Sequence, residues 1–336
     1  VPKSELTELK DYEINYELQS GENVLQFVQD VRRTPGEQWM EYGPLNYLPP
    51  VEVEILREVQ EIPLDSNEGI YVRNTRTGEI RAHIGSTYML QAYESLWEIE
   101  LPQVVEKLLV KANGGKAIDR TRVVTYKAPF NTAIQIYNYK KKEARVVFGP
   151  QLVMLQPDEI FTVNILSGGK PKKKGMIKSL DMMLGPDFTS DIIEVETSDH
   201  ARLLIKLSYN WHFEVDRDSK EGGERLFTIR DFIGDMCTIM AAKIRSAVAG
   251  VTFENFHKGF AKLIRTTIFG LDENGKVNGE YIIKKNGLTI TYSKVQEVEP
   301  VDDKTKNSLK DTVSLAIEIT TKSQEEHARR SSERSK

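Results

Sequence analysis

Apolar and polar residues alternate most regularly between residues 201 and 215. A period of two predicts a long β-strand with one face buried and the other in water. Ile193 and Val195, which precede a turn at Ser198 and Asp199, supply the first arm of a hairpin with this strand. The apolar face of the long strand is the predicted core of a domain and comprises Leu203, Ile205, Leu207, Tyr209, Trp211 and Phe213.

Beyond this hairpin the apolar spacing changes to three and four residues, which is typical of amphipathic helices. One stripe contains Ile233, Met236, Met240, Ile244 and Val248, and the next contains Phe253, Phe256, Phe260, Ile264 and Ile268. A strand returns at residues 287–292 and ends by Pro300. The order of elements predicts an α+β domain over residues 189–302.

A final helix is predicted for residues 303–336, with Asp302 or Asp303 as its cap. An isolated helix of about 20 residues is marginal in water, so its apolar stripe needs a neighbour. That neighbour is either the α+β domain or the same helix of another chain. The residues predicted to pack between chains are Leu309, Val313, Ala316 and Ile317.

Residues 1–188 have the pattern of small, repeated β-sheets. Three copies share a glycine turn, an apolar strand and then an acid; the glycines are Gly43, Gly85 and Gly149, and the acids are Glu52, Glu94 and Glu159. Upstream of the turn, Arg81 and Arg145 occupy the same position in the last two copies. A small sheet cannot bury its apolar face alone, so it stacks on copies of itself.

The predicted fold is therefore multidomain, with tandem small antiparallel β-sheet repeats, an α+β domain and a long C-terminal helix. All of residues 1–188 are expected to be β-structure, including strands at 52–55 and 70–73. The predicted boundaries are 1–63 for a repeat with the remnant of a preceding one, 64–120 for a repeat with a loop insertion at 113–116, 121–188 for a third repeat, 189–302 for the α+β domain and 303–336 for the helix.

Composition narrows the classes of function. The 336 residues are 39% hydrophobic and 29% charged, with a net charge of −4, and this balance gives no general case for nucleic-acid binding. No run approaches the ~18 apolar residues of a membrane span. The single cysteine, Cys237, cannot form an internal disulfide and fits a reducing compartment. The N-terminus lacks an initiator Met and a signal core, so we expect a piece of a longer chain.

The candidate chemical groups do not assemble into a site. His83, His200, His212 and His257 lack metal-ligand spacing and are interpreted as surface or capping residues. Cys237 falls within a helical pattern and is interpreted as a core residue. Segment 272–275 (DENG) resembles a calcium loop, but its glycine comes two positions too early. The glycine pairs at 114–115, 168–169 and 222–223 match no phosphate-binding fingerprint. We therefore predict no catalytic, metal or cofactor site.

The strongest local charge is the lysine-rich segment 170–174 (KPKKK). Such a segment can contact RNA or anionic lipid. A solvated loop is the favoured interpretation, because no aromatic stacking residues accompany the lysines.

Two resemblances give these patterns a context. The order hairpin, two helices, strand and long helix resembles the band-7 domain of stomatins, prohibitins and flotillins, also called SPFH, over about residues 189–305. Nearly the whole chain resembles the major vault protein family. The segments that carry this second resemblance are NEGIYV (67–72), IGSTYML (84–90), RVVFGP (145–150), LGPDF (184–188), DHARL (199–203), YNWHF (209–213), EPVD (299–302) and LAIEITT (315–321).

The vault resemblance implies β repeats in a barrel wall, a band-7-like shoulder and a cap helix that associates around the particle axis. It implies that dozens of identical chains close into a hollow ribonucleoprotein shell in the cytoplasm, with the nucleus as a second location. The guests that it implies are a poly(ADP-ribose) polymerase, a telomerase-associated protein and small untranslated vault RNA. A membrane-associated band-7 scaffold remains the alternative, although integral membrane association is not expected. An enzyme is the third and least supported class.

Overall fold

The computed structural model describes residues 33–302 together with residues 306, 307, 314, 318, 319 and 321–324. The chain divides into two compact units, Val1–Glu98 and Ile99–Lys336. Each unit contains its own cluster of buried apolar side chains.

The first unit is built on a three-stranded antiparallel sheet. Its strands are β1 (Gly69–Asn74), β2 (Ile80–Ile84) and β3 (Glu94–Leu96), in the order β2-β1-β3. The buried cluster beside this sheet is small and consists of Leu64, Ile70, Val72 and Leu90. The predicted strand at 70–73 is thus part of β1.

The predicted strand at 52–55 is wrong. Among the described residues before Ile62 no strand is present, and Val51 is fully exposed. The corresponding acids of the other two repeats lie in strands that pair with a strand upstream of the glycine turn. In the first repeat, the residues that correspond to β1 and β5 come before residue 33 and lie outside the described residues. A strand needs a hydrogen-bonded partner as well as an alternating sequence, so the alternation at 52–55 was not sufficient to predict one.

The second unit begins with a helix in a region predicted to be entirely β. Helix α1 spans Gln103–Ala112 and buries Val105 and Leu109, which are four residues apart. The prediction that residues 1–188 are all-β is therefore wrong here: the Val-Val and Leu-Leu-Val runs look strand-like, but the buried pair has helical spacing. Gly114 and Gly115 follow the helix with positive φ angles of 68° and 87°.

Eight short strands form the third repeat. They are β4 (Thr125–Ala128), β5 (Thr132–Asn138), β6 (Glu143–Phe148), β7 (Gln151–Met154), β8 (Glu159–Phe161), β9 (Asn164–Gly168), β10 (Lys173–Ser179) and β11 (Asp181–Met183). Strand β5 pairs with β6 on one edge and with both β8 and β11 on the other, while β4 pairs with β7 and β9 with β10. All of these pairs are antiparallel.

The α+β domain follows without a break. Its elements are β12 (Asp187–Glu196), β13 (Arg202–Phe213), α2 (Lys220–Leu226), α3 (Phe232–Ala249), α4 (Phe253–Phe269), β14 (Tyr281–Ile283) and β15 (Leu288–Pro300). The sheet order is β12-β13-β15-β14. Helices α3 and α4 pack on each other, α3 contacts β12, and α4 contacts β15.

The third repeat and the α+β domain share one buried core. Ala133, Leu166, Met182 and Leu184 come from the repeat and belong to the same cluster as the β13 and α3 side chains. The described residues of the C-terminal segment, such as 306, 307 and 321–324, have helical backbone. The predicted packing residues of that helix, Leu309, Val313, Ala316 and Ile317, lie outside the described residues.

Candidate assembly site

A buried carboxylate joins the strands of the second repeat. Glu94 is 7% exposed, and its Oε1 accepts a hydrogen bond of 2.7 Å from Arg81 Nη2. The other oxygen accepts from the Tyr88 hydroxyl at 2.6 Å and from the backbone N–H of Gln91 at 3.1 Å. One carboxylate thus accepts hydrogen bonds from Arg81, Tyr88 and Gln91, which lie at three successive places along the repeat.

The third repeat contains the same arrangement. Glu159 is 9% exposed and accepts two hydrogen bonds of 2.9 Å from Arg145, one from Nε and one from Nη2. The backbone N–H of Gln156 donates to Glu159 at 3.0 Å, as Gln91 does in the second repeat. This bidentate geometry gives the ion pair a defined orientation as well as a favourable charge interaction.

Both carboxylates are stabilised in their charged form. Burial by itself would raise the pKa of Glu94, but hydrogen bonds from Tyr88 and Gln91 and the charge of Arg81 outweigh it and lower the pKa. Burial is likewise overcome at Glu159, where hydrogen bonds from Arg145 and Gln156 hold the pKa below its usual value. We call each of these Arg–Glu pairs, Arg81–Glu94 and Arg145–Glu159, the latch of its repeat.

The sequence contained the signal for the latches. Each arginine lies four residues before the turn glycine, and each acid follows the strand after the turn. The pattern defined the repeat, but the spacing alone did not show that the two charges meet. In the first repeat the position four residues before Gly43 is Trp39, and Glu52 is exposed. Trp39 Nε1 donates instead to Glu41 at 2.8 Å.

The six predicted core residues of β13 are all buried, from 0% exposed at Leu203 to 7% at Phe213. Trp211 lies edge-on to Phe213 and Phe232, with ring centroids 5.9 Å and 5.1 Å away. His212, on the opposite face, is half-buried, and its Nε2 lies 3.7 Å from a Glu214 carboxylate oxygen. The aromatic contacts fix the α3 start against the sheet.

Two aspartates connect the third repeat with the α+β domain. Asp231 caps α3 by accepting from the Gly234 N–H at 2.9 Å. Its two oxygens also accept from the backbone N–H and the hydroxyl of Ser167 at 2.9 Å and 2.6 Å. Asp191 accepts from the backbone N–H of Lys172 at 3.0 Å. The turn end of the β9–β10 hairpin, next to residues 169–172, is therefore held by hydrogen bonds to two carboxylates.

The remaining candidate groups lie in separate structural positions. His83 contacts Ser86, His200 contacts Glu196 at 2.7 Å, and His257 stacks on Phe253. Cys237 is buried, and burial raises the pKa of its thiol to about 12. Within the part of the chain that the structure describes, no group of three or more His, Cys, Asp or Glu residues could hold a metal ion.

The calcium-like segment forms a tight hairpin turn. Asp272 Oδ1 accepts from the N–H groups of Asn274 and Lys276 at 2.9 Å and 2.7 Å, and Leu271 bridges Val277. The carboxylate thus stabilises its own turn. Among the described helices, none has the length and apolar character needed to cross a membrane.

These features define a class: a tandem β-repeat protein with repeated internal latches that continues into an α+β domain. Three family models match the chain: a major vault protein repeat domain at residues 61–120, a second at 123–184, and the shoulder domain at 185–302. The chain belongs to the major vault protein family. This confirms the resemblance and the predicted succession of β repeats and an α+β domain, whereas the exact domain boundaries and the likeness to band-7 domains stay predictions.

Individual relatives agree with the family models. The chain is 54% identical to major vault protein alpha of Dictyostelium discoideum over 303 residues, which is 89% of this chain and 36% of that protein. It is 51% identical to the major vault protein of Strongylocentrotus purpuratus over 317 residues, covering 90% and 37% of the two chains. For the Homo sapiens protein the identity is 46% over 334 residues, covering 91% and 37%. The chain thus spans little more than a third of the length of these relatives.

Proposed function

We propose that this chain is a structural shell protein whose copies associate side by side into the hollow barrel of a vault ribonucleoprotein particle. The observation that carries the proposal is the recurrence of one latched sheet, with Arg81–Glu94 in the second repeat and Arg145–Glu159 in the third. Its relatives, which bear the name major vault protein, support the same conclusion.

The physical basis of the function is repetition. An internal latch makes each sheet stiff, so that neighbouring chains present the same surface in the same orientation. A weak contact between two chains is multiplied when many copies close a ring. The shoulder domain and the C-terminal helix would drive this lateral association. The proposed role is structural rather than catalytic, and the proposed location is the cytoplasm, with the nucleus as a second location.

The partners of the assembled particle belong to the same proposal. They are other copies of this chain, a poly(ADP-ribose) polymerase, a telomerase-associated protein and small untranslated vault RNA. The support is the family membership alone, and none of these guests is assigned to a residue.

Negative-stain electron microscopy combined with light-scattering mass tests the proposal. Rings or half-barrels far heavier than the 38.3 kDa chain are expected. The same measurement on Leu309→Asp with Val313→Asp should show folded but unassembled protein, because charge would replace the predicted apolar stripe. Ser314→Asp, at an exposed position of the same segment, is the matched control. A monomer in both this chain and a full-length relative would refute the proposal.

A further inference from the structure

The β9–β10 hairpin concentrates positive charge in a chain that is negative as a whole. No acid occurs between Glu159 and Asp181, and the net charge of the chain is −4. The same stretch contains five lysines: Lys170, Lys172, Lys173, Lys174 and Lys178. The structure shows no ion pair for any of them within its described residues. Four of them, Lys170, Lys173, Lys174 and Lys178, are exposed to solvent, whereas Lys172 is half-buried beside Asp191.

Exposed apolar side chains lie among these lysines. Strand β10 is exposed from Lys173 to Lys178. Met176 is 61% exposed, Ile177 45% and Ile165, on the paired strand, 46%. Amphipathic helices that bind at a membrane surface combine lysines with apolar side chains, and this hairpin exposes the same two kinds of side chain.

The hairpin is held in a fixed orientation. Strand β9 buries Leu166 and packs against α3. The hydrogen bonds from Ser167 to Asp231 and from Lys172 to Asp191 anchor both arms. Binding would therefore cost little ordering entropy, because both arms of the hairpin that carries the lysines and the apolar residues are already anchored.

RNA binding and edge protection are two roles that suit the lysines less well. Recognition of single-stranded RNA uses aromatic side chains for base stacking, and residues 162–180 contain none. Lysines also protect edge strands from pairing with other chains. That role does not account for Met176 and Ile177, because exposed apolar residues on an edge favour aggregation.

We propose that the β9–β10 hairpin docks on an anionic lipid surface, with its lysines at the headgroups and Met176, Ile177 and Ile165 in the interfacial region. Charge complementarity selects this occupant, because anionic headgroups attract each nearby lysine. The contact would be peripheral and requires no membrane-spanning segment. It goes beyond the shell function and does not depend on it.

The test is co-sedimentation of the whole chain with phosphatidylcholine vesicles, with and without phosphatidylserine. Binding is expected only to the anionic vesicles and should weaken as salt is raised. Lys173→Glu with Lys174→Glu should lower the partition coefficient at least tenfold, since each lysine near the surface contributes roughly fivefold. Met176→Ser with Ile177→Ser should also weaken binding, and its effect should persist at high salt.

The matched control is Lys284→Glu with Lys285→Glu, which makes the same change of charge at two exposed lysines of another turn. This control should bind vesicles as the unaltered chain does. An equal loss of binding in the control would mean that net charge alone is responsible and would overturn the proposal. So would unchanged binding in the hairpin variants.

Different occupants would be revealed by two further measurements on the same variants. If the chain bound single-stranded RNA but no vesicles, and the lysine variant lost this binding, the partner would be RNA. If only the light-scattering mass changed, the hairpin would contact a second copy. Either result would replace the lipid proposal.

Discussion

The second and third repeats contain the same latch but have different surroundings. In the second, Glu94 receives hydrogen bonds from Arg81, Tyr88 and a backbone N–H, beside a cluster of four buried apolar residues. In the third, Glu159 depends on two hydrogen bonds from Arg145 and one backbone N–H. The third repeat also contributes side chains to the large core of the α+β domain.

This difference distinguishes the contacts that every repeat makes within itself from the contacts that depend on the neighbouring domain. The latch and the glycine turn occur in both copies and are properties of the repeat. Among the described residues, the third repeat, which adjoins the α+β domain in sequence, contributes side chains to the core of that domain. Substitutions at equivalent positions of the two repeats should therefore lower stability by different amounts. The size of that difference shows how much the additional contacts contribute.

The largest effect is expected from the shared core. Trp211→Ala should lower the free energy of unfolding by about 3–5 kcal/mol, because it leaves a cavity among Phe213, Phe232 and the sheet. Hydrogen exchange should accelerate in β5 and β11 of the third repeat as well as in α3, since their buried residues form one cluster. Chemical denaturation followed by both fluorescence and exchange measures this.

His212→Ala provides the control on the opposite face of the same strand. His212 is half-buried and outside the apolar cluster, so the loss should be below about 0.5 kcal/mol. Equal effects of the two substitutions, or acceleration limited to α3, would show that the repeat and the domain unfold separately.

The second-largest effect is expected from replacing the glycines of the three turns by alanine. A Cβ at Gly149 would lie 1.8 Å from the Pro129 carbonyl oxygen, so Gly149→Ala must displace backbone and should cost about 3 kcal/mol. A Cβ at Gly85 would make ordinary contacts with Ser66, 3.7 Å from its carbonyl oxygen, but the φ of 82° is unfavourable for alanine, so Gly85→Ala should cost about 1–2 kcal/mol. At Gly43 a Cβ meets only ordinary contacts. In thermal denaturation Gly149→Ala should be the most destabilised variant, Gly85→Ala the next and Gly43→Ala the least. Any other order would contradict this interpretation of the turns.

Removing the arginine of each latch should have a smaller effect on stability, and the effect should differ between the two repeats. Arg145→Met removes both side-chain hydrogen bonds to a buried carboxylate and should cost about 1–3 kcal/mol. Arg81→Met should cost less, because the Tyr88 hydroxyl still donates to Glu94. Tyr88→Phe combined with Arg81→Met should make the second repeat as sensitive as the third. Double-mutant cycles with Glu94→Gln and Glu159→Gln measure each coupling energy.

The sequence was sufficient for the elements with a long, regular period. The alternation from Leu203 to Phe213 and the helical stripes of α3 and α4 predicted β13 and two helices, because burial of one continuous face determines both patterns. Short segments were less informative. Helix α1 has only two buried residues, and the segment at 52–55 alternates without forming a strand in the described structure.

The latch shows a second limit of sequence analysis. Arg145 and Glu159 are separated by a turn and a further strand, so their contact depends on how β5 pairs with both β6 and β8. The repeat indicated that both residues matter, and only the strand register brings them together. The shared core is similar, since nothing in the pattern of residues 121–188 distinguished a free repeat from one that packs against the next domain.

The smallest expected effect is the loss of stability when the pH is lowered. Because the pKa values of Glu94 and Glu159 are lowered on folding, the charged carboxylates stabilise the fold above their unfolded pKa of about 4.3, and this contribution is lost as the pH falls through the lower folded values. Denaturation midpoints measured from neutral pH downward should therefore be steady at first and fall below about pH 4.5. In Glu94→Gln with Glu159→Gln the midpoint should be lower at neutral pH and should fall less steeply in acid. If the acid dependence were unchanged in this variant, other carboxylates would control it and the latches would not be stabilised by their charge.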